Sequence, residues 1–424
     1  MLCSEIITYI ENGGADNRFE ALYGKDAVMK QKSRYSAAAA EFLKLFGDGD
    51  CRVLSVSGRS EISGNHTDHN KGCVLAASVD VDIIAVVKKT DENTVRVKSE
   101  GFPLDLCPLD APVEARRKKY SSGSIIYGVV DGFERRGYKT GGFCAYTTST
   151  VLKGSGLSSS AAFEDMTGYI LSVLYNDDKV SDVEIAKISQ YAENEFFGKP
   201  CGLMDQVACA VGGFVYIDFG GQEPEIVPVP FDLTAAGYDL CIVNTGGNHA
   251  DLNDDYASVP SEMKSVAAIF GKPVLRGLGE DDIIEKLPEI REKQGDRAAL
   301  RAVHFIRENE RVKKQRDALL SGDTDTFLSL AKQSGDSSYK YLQNVYTTKN
   351  PSEQGLSLAL CMTEGFLQGK KAAYRVHGGG FAGTIQAFLP SGSTAEYKKY
   401  MERIFGINSC AVLHVRAEGT AEII

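Results

Sequence analysis

A chain of 424 residues is longer than one compact core usually encloses, so two domains are expected. Its 43% apolar and 25% charged residues are those of a soluble globular protein. The formal charge of −10 argues against nucleic acid or an anionic membrane as the main partner, although one local positive patch still suffices for an anionic nucleotide. The amino terminus, MLCSEIITYIENGG, has no basic start and carries acids early, unlike a secretory leader. Apolar runs stay short of the roughly 20 residues that a membrane span needs. Ten cysteines are scattered singly with no C-x-x-C pair, which fits reduced thiols in a cytoplasmic protein better than a disulfide framework or a zinc site.

Residues 1–45 read as helical, with Ala37–Ala40 running into Glu41-Phe-Leu-Lys-Leu-Phe46. Segments rich in Val and Ile predict strands over 52–57, 74–87 and 94–98. A helix is expected over 121–136, a strand over 144–151 and a helix from Ser158 onward. A further helix over 183–196 has Ser181 and Asp182 available to cap it. Glycine density rises around Gly212-Gly213 and Gly220-Gly221, and a strand restarts over 238–244. The domain boundary is therefore set near residue 225, giving units 1–225 and 226–424. The second half predicts a long helical stretch over 260–369, strands over 373–377 and 384–389, a helix over 394–405 and a strand over 410–415. Helices interleaved with strands that can pair antiparallel predict an α+β class.

Three glycine-bearing segments carry candidate chemistry. Gly154-Ser-Gly-Leu-Ser-Ser-Ser-Ala-Ala162 lies between a strand and an amphipathic helix. It offers a tight turn, hydroxyls and unpaired N–H groups at a positive helix end, a phosphate cradle made of backbone. No Walker A pattern occurs. Gly58-Arg-Ser-Glu-Ile-Ser-Gly-Asn-His-Thr-Asp-His-Asn70 crowds short polar side chains after a strand, a mixture suited to hydroxyl recognition. His66 and His69 also read as a metal pair, but they lack a third ligand. Val376-His-Gly-Gly-Gly-Phe-Ala-Gly-Thr384 contains a formal G-x-G-x-x-G. A strand rather than a helix follows it, so a dinucleotide fingerprint is excluded. Asp218-Phe-Gly220 mimics a protein-kinase motif, but no H-R-D precedes it. Glu193 on its helix and Asp205 in Pro200-Cys-Gly-Leu-Met-Asp-Gln206 are candidate carboxylates for metal binding and for handling a hydroxyl.

Taken in order along the chain, these segments resemble the GHMP kinases, and within them the galactokinases. Gly58–Asn70 is similar to the galactokinase signature, Gly154–Ala161 to the family's phosphate loop, Pro200–Gln206 to the segment with the catalytic Asp, and Gly378–Gly383 to the third GHMP motif. The resemblance implies a two-domain α+β fold, with a ribosomal-protein-S5-like first unit, a ferredoxin-like second unit and the active site in the cleft between them. It implies direct in-line transfer from ATP with Mg²⁺ to a sugar's anomeric hydroxyl, by a monomer with no phosphoenzyme. It also implies roles. Asp205 and Arg59 would be catalytic. Gly154, Ser155, Gly156, Leu157, Ser158, Ser159, Gly378, Gly379 and Gly380 would hold the nucleotide, and Ser160 and Glu193 the metal. Asn65, His66, Asp68 and Tyr256 would line the sugar pocket.

Two positions depart from the pattern: galactokinases usually carry Glu where this chain has Asn65, and Tyr where it has His69. A neutral amide at 65 would bind a primary hydroxyl and would also tolerate a carboxylate, so galacturonate, N-acetylgalactosamine and arabinose stand beside galactose as acceptors. A sugar sensor without catalysis and a kinase for a non-sugar alcohol are the remaining alternatives.

Overall fold

The computed structural model describes residues 1–151, 156–199, 201–247 and 252–424, with the side chains of all of these except Val113. Its strands in chain order begin with β1 (Arg52–Ser63), β2 (Cys73–Lys89), β3 (Thr94–Ser99), β4 (Leu104–Pro108) and β5 (Phe143–Ser149). Next come β6 (Phe214–Asp218), β7 (Glu225–Val229), β8 (Tyr238–Asn244) and β9 (Ala373–His377). The last are β10 (Thr384–Pro390), β11 (Cys410–Leu413) and β12 (Thr420–Glu422). The first sheet runs β12-β1-β2-β5-β3-β4, with β6 and β7 branching from β2, and the second runs β11-β8-β10-β9. The class is α+β, as the interleaving predicts.

The hairpin of β1 and β2 organises the first sheet. Its Val and Ile residues suit a pleated surface, and the period of two sends Val53, Ile84, Val86 and Tyr146 to one face, Leu54, Ala85, Val87 and Ala145 to the other. Helices Cys3–Glu11, Asp16–Tyr23 and Val28–Phe46 cover the first face through Phe19, Tyr35, Ala39 and Phe42. Helices Ser122–Arg135, Ser159–Tyr175 and Asp182–Ala192 cover the second. Complete burial of a phenylalanine such as Phe42 contributes about 1.5–3 kcal/mol.

Three of the sequence expectations change here. β1 does not stop at Ser57 but runs on to Ser63, carrying the polar motif on the strand itself, with register shifts at Ser57/Gly58 and Glu61/Ser63. Gly58 suits this close approach, because a Cβ there would lie 3.0 Å from the Leu157 carbonyl and 3.2 Å from that of Val81, tighter than side chains usually pack. The 260–369 stretch divides into several helices, among them Asn253–Ile269, Asp296–Leu320, Thr324–Ser337 and Gly355–Leu367. Strands β4, β6, β7 and β12, and the helix Met204–Val211, were not foreseen. All ten cysteines are free thiols, and no helix among the described residues is long and apolar enough to cross a membrane.

A buried charge cluster fastens the amino-terminal helices to the sheet. Asp82, fully buried on β2, accepts from Arg34, Tyr23 and Ser55 and lies 3.4 Å from buried Arg416 near the carboxyl end. Burial alone would raise its carboxyl pKa, but Arg34, Arg416 and the two hydroxyls hold it below the ordinary value. Its contribution is therefore complete above the ordinary carboxylate range and is lost as pH falls through the folded value. Asp82→Asn strands Arg34 and Arg416 in the interior and lowers the unfolding free energy by about 3–5 kcal/mol. The measurement is the urea midpoint, and an unchanged midpoint would show the cluster to be dispensable.

Candidate active site

Arg59 leaves β1 toward the amino end of the helix Met204–Val211, whose first turn carries Asp205. The guanidinium grips Asp205 with both prongs, Nε to Oδ1 at 2.8 Å and Nη2 to Oδ2 at 2.6 Å. Its third nitrogen, Nη1, donates to the Gly156 carbonyl, and Ser158 Oγ donates to Asp205 Oδ2. The Arg59 backbone N–H meets the Leu157 carbonyl at 3.2 Å, so one arginine ties the serine-rich loop to the acid. Burial pushes the Asp205 carboxyl up, but Arg59, Ser158 and Lys199 together carry it below its ordinary value. An acid held so low is a weak base; it suits orienting a hydroxyl and receiving its proton late.

The loop residues divide. Gly154 and Ser155 lie outside the described residues. Gly156 is exposed, Leu157 is buried in the core, and Ser158 caps the helix Ser159–Tyr175 with a left-handed φ of 57°. Ser159 and Ser160 open the first turn, where unpaired N–H groups and the helix dipole attract anions.

Two buried carboxylates meet on Gln206. Glu193 and Glu164 are both buried and share one donor: Gln206 Nε2 lies 3.0 Å from an oxygen of each, while Lys199 Nζ approaches Glu193 at 3.3 Å. Burial, and then the neighbouring Glu193, push the Glu164 carboxyl well above its ordinary value. Glu164 Oε1 and Gln206 Oε1 are buried with no partner. Such an oxygen-rich, charge-frustrated corner fits a hard divalent cation. Sequence reasoning missed Glu164; its signal was the i, i+4 step from Ser160 along one helix face.

The loop over 64–70 lies across a cavity of about 170 Å³, lined by Arg59, Glu61, Asn65, His66, Asp68 and His69 with Gly378 and Gly379 among others. It therefore takes walls from both halves of the chain. Asp68 accepts from the His69 N–H at 2.9 Å. His66 Nε2 lies 2.9 Å from the Gly379 carbonyl, and burial pushes its imidazole pKa down to about 4, so the ring is neutral. Tyr256 stands behind the glycines, its Oη donating to the Gly380 carbonyl at 2.8 Å. The Gly378–Gly380 carbonyls thus meet Asn65, His66 and Tyr256. The link to the serine-rich loop is His377. It lies 3.1 Å from Ser60 Oγ and 2.9 Å from Thr384 Oγ1, with its Cε1 3.2 Å from where a Gly156 Cβ would lie. Asn65 is fully buried, and Glu61 joins the wall. A strand period of two from Arg59 was the signal for Glu61, obscured by the expectation that the strand ended at Ser57.

Comparison with known proteins follows this geometry. Residues 40–89 match the family model described as galactokinase galactose-binding signature, and residues 124–213 the model for the GHMP kinases N terminal domain. A galactokinase of Actinobacillus pleuropneumoniae serotype 5b is 30% identical over 85% of this chain and 91% of its own length. The chain belongs to the galactokinase family of GHMP kinases. A galactokinase of Clostridium tetani is 28% identical over 90% of this chain and 96% of its own length. Among solved structures, Lactococcus lactis galactokinase complexed with galactose superposes with a TM-score of 0.75 at 23% identity, covering 91% of this chain and 99% of that one. A mevalonate kinase superposes at 0.57 and 14% identity, over 86% and 99% of the two chains. The GHMP kinase fold is the one the motifs implied. In this galactokinase-family chain the signature match spans β1 and the 64–70 loop, and the GHMP match spans the serine-rich loop, Glu193 and Asp205.

Proposed function

We propose that this chain transfers the γ-phosphoryl group of ATP to the anomeric hydroxyl of galactose, giving galactose 1-phosphate. The observation that carries this reading is the Arg59 clamp, in which a residue lining the cavity joins Asp205 to the loop at the helix amino terminus. In this reading Asp205 orients the anomeric hydroxyl and takes its proton as the O–P bond forms. Arg59 keeps Asp205 ionised and faces the charge on the transferred group. The Ser158–Ser160 turn receives the phosphates, and His66 and Asp68 hold ring hydroxyls. Ser160, Glu164 and Glu193 supply the oxygen donors for Mg²⁺, which when bound offsets phosphate charge. No phosphoenzyme is required, because positioning and electrostatics provide the catalysis.

The test is a coupled ADP-release assay with ATP across galactose, galacturonate, N-acetylgalactosamine, arabinose and glucose, with and without Mg²⁺. The expected result is Mg²⁺-dependent turnover with galactose preferred. Preference for galacturonate would overturn the acceptor, and silence on every sugar the kinase reading itself.

A further inference from the structure

Position 65, one of the two departures from the signature pattern, holds an amide with no capacity left for a ligand. Asn65 Nδ2 donates to Glu61 Oε1 at 2.9 Å and to the Gly378 carbonyl at 2.7 Å, while Oδ1 accepts from Asn344 Nδ2 at 2.6 Å and Ser338 Oγ at 3.4 Å. Two donors and two lone pairs are all that a carboxamide offers, and Asn65 is fully buried. Glu61 is the reverse case. It lines the cavity, and its two side-chain partners among the described residues, Asn65 and Arg375 Nη2 at 3.4 Å, fall on Oε1. Oε2 keeps its lone pairs for a hydroxyl. Arg375 is buried behind it and is fixed in turn by the Ile62 carbonyl at 2.6 Å.

We infer that Glu61 is the carboxylate that holds a hydroxyl of the acceptor sugar in this chain, with Asn65 and Arg375 acting as its braces. The inference rests on the sugar-kinase reading above and makes its acceptor site more specific. Glu61 follows Arg59 by two residues on the same face of β1, a displacement of about 6.6 Å along the strand. Placed one strand period beyond the clamp residue, Glu61 is set to reach a hydroxyl across the ring, at C3, C4 or C6, rather than the one at C2 beside the anomeric carbon. The charge bears on specificity too. Glu61 and Asp68 face the cavity, and the lining cation Arg59 is taken up by Asp205. A uronate carboxylate would meet two like charges with no free cation among the described lining residues, so the neutral residue at 65 does not open the site to sugar acids.

The experiment is steady-state kinetics of the full chain and of Glu61→Gln with galactose, its 2-, 3-, 4- and 6-deoxy analogues and galacturonate. Glu61→Gln is expected to lower kcat/KM for galactose roughly 10- to 100-fold, the size of a hydrogen bond to a charged group. With one of the 3-, 4- or 6-deoxy analogues the two proteins should differ by less than about threefold, since the hydroxyl that Glu61 holds is gone. With the 2-deoxy analogue the full loss persists, and discrimination against galacturonate weakens. Should Glu61→Gln fail to fold, Glu61→Asp keeps the charge opposite Arg375 but withdraws the oxygens, and it gives the same analogue-dependent pattern. An equal loss with every analogue would overturn the inference and leave Glu61 only a brace for Arg375. A wild-type chain inert toward all sugars would overturn it together with the acceptor reading on which it rests.

Discussion

Asp205→Asn lowers kcat by about 10²- to 10⁴-fold, the usual range for loss of a positioned acid–base group. The amide occupies the same space, so the effect isolates charge and proton acceptance. In the native site two Arg59 nitrogens and Ser158 Oγ converge on this carboxylate. An amide turns one of its two termini into a donor, and because Arg59 donates to both carboxylate oxygens that terminus faces an Arg59 N–H with like polarity. The acceptor hydroxyl then loses both its orientation and the destination of its proton. Asp205 meets the start of the helix Ser159–Tyr175 through the Ser158 hydroxyl and leaves its backbone N–H groups in place, so ADP binding, measured by calorimetry, stays within a few-fold of wild type. A variant that kept most of its rate would remove Asp205 from the reaction, and a parallel collapse of ADP binding would recast it as a structural member of the clamp.

How much of this arrangement the sequence discloses depends on whether a residue's reason for being there is local. Strands β8 and β9 and the helix Thr394–Phe405 fall on their expected bounds, because alternation and helical spacing are set by the segment itself. Ser181 caps its helix as expected, accepting from the Glu184 N–H at 3.3 Å. The latter half of β1 was hidden because Arg59, Ser60 and Glu61 are polar for the sake of the site, and polarity imitates a loop. β12 is three residues long and exists only because β1 offers it an edge. The pairing of Arg59 with Asp205, 146 residues apart, came from resemblance alone, since no periodicity links them. The saturation of Asn65 depends on Ser338 and Asn344, which arrive from the other half of the chain. A substitution in a motif can thus be seen in the sequence, whereas the neighbour that offsets it has to be seen in space.

Arg59→Met tests the clamp from its other side and acts on the pH profile as well as on the rate. In the native chain, burial would raise the Asp205 carboxyl, and Arg59 is the largest influence opposing it. Asp205 is therefore ionised well into the acid range, and the acidic limb of kcat/KM lies at low pH. Without the guanidinium, Ser158 and Lys199 alone oppose burial, so the carboxyl titrates at higher pH and the acidic limb moves upward. At neutral pH, kcat falls by about 10²- to 10³-fold, because a preorganised donor toward the transferred group is lost as well. Arg59→Lys recovers little of this. A single ammonium cannot supply the two bonds to Asp205 and the third to the Gly156 carbonyl that the planar fork makes together. Kinetics from pH 4.5 to 9 on the three proteins separate the two contributions. A lowered rate with an unmoved acidic limb would mean that Arg59 acts on the phosphoryl group alone and does not set the state of Asp205.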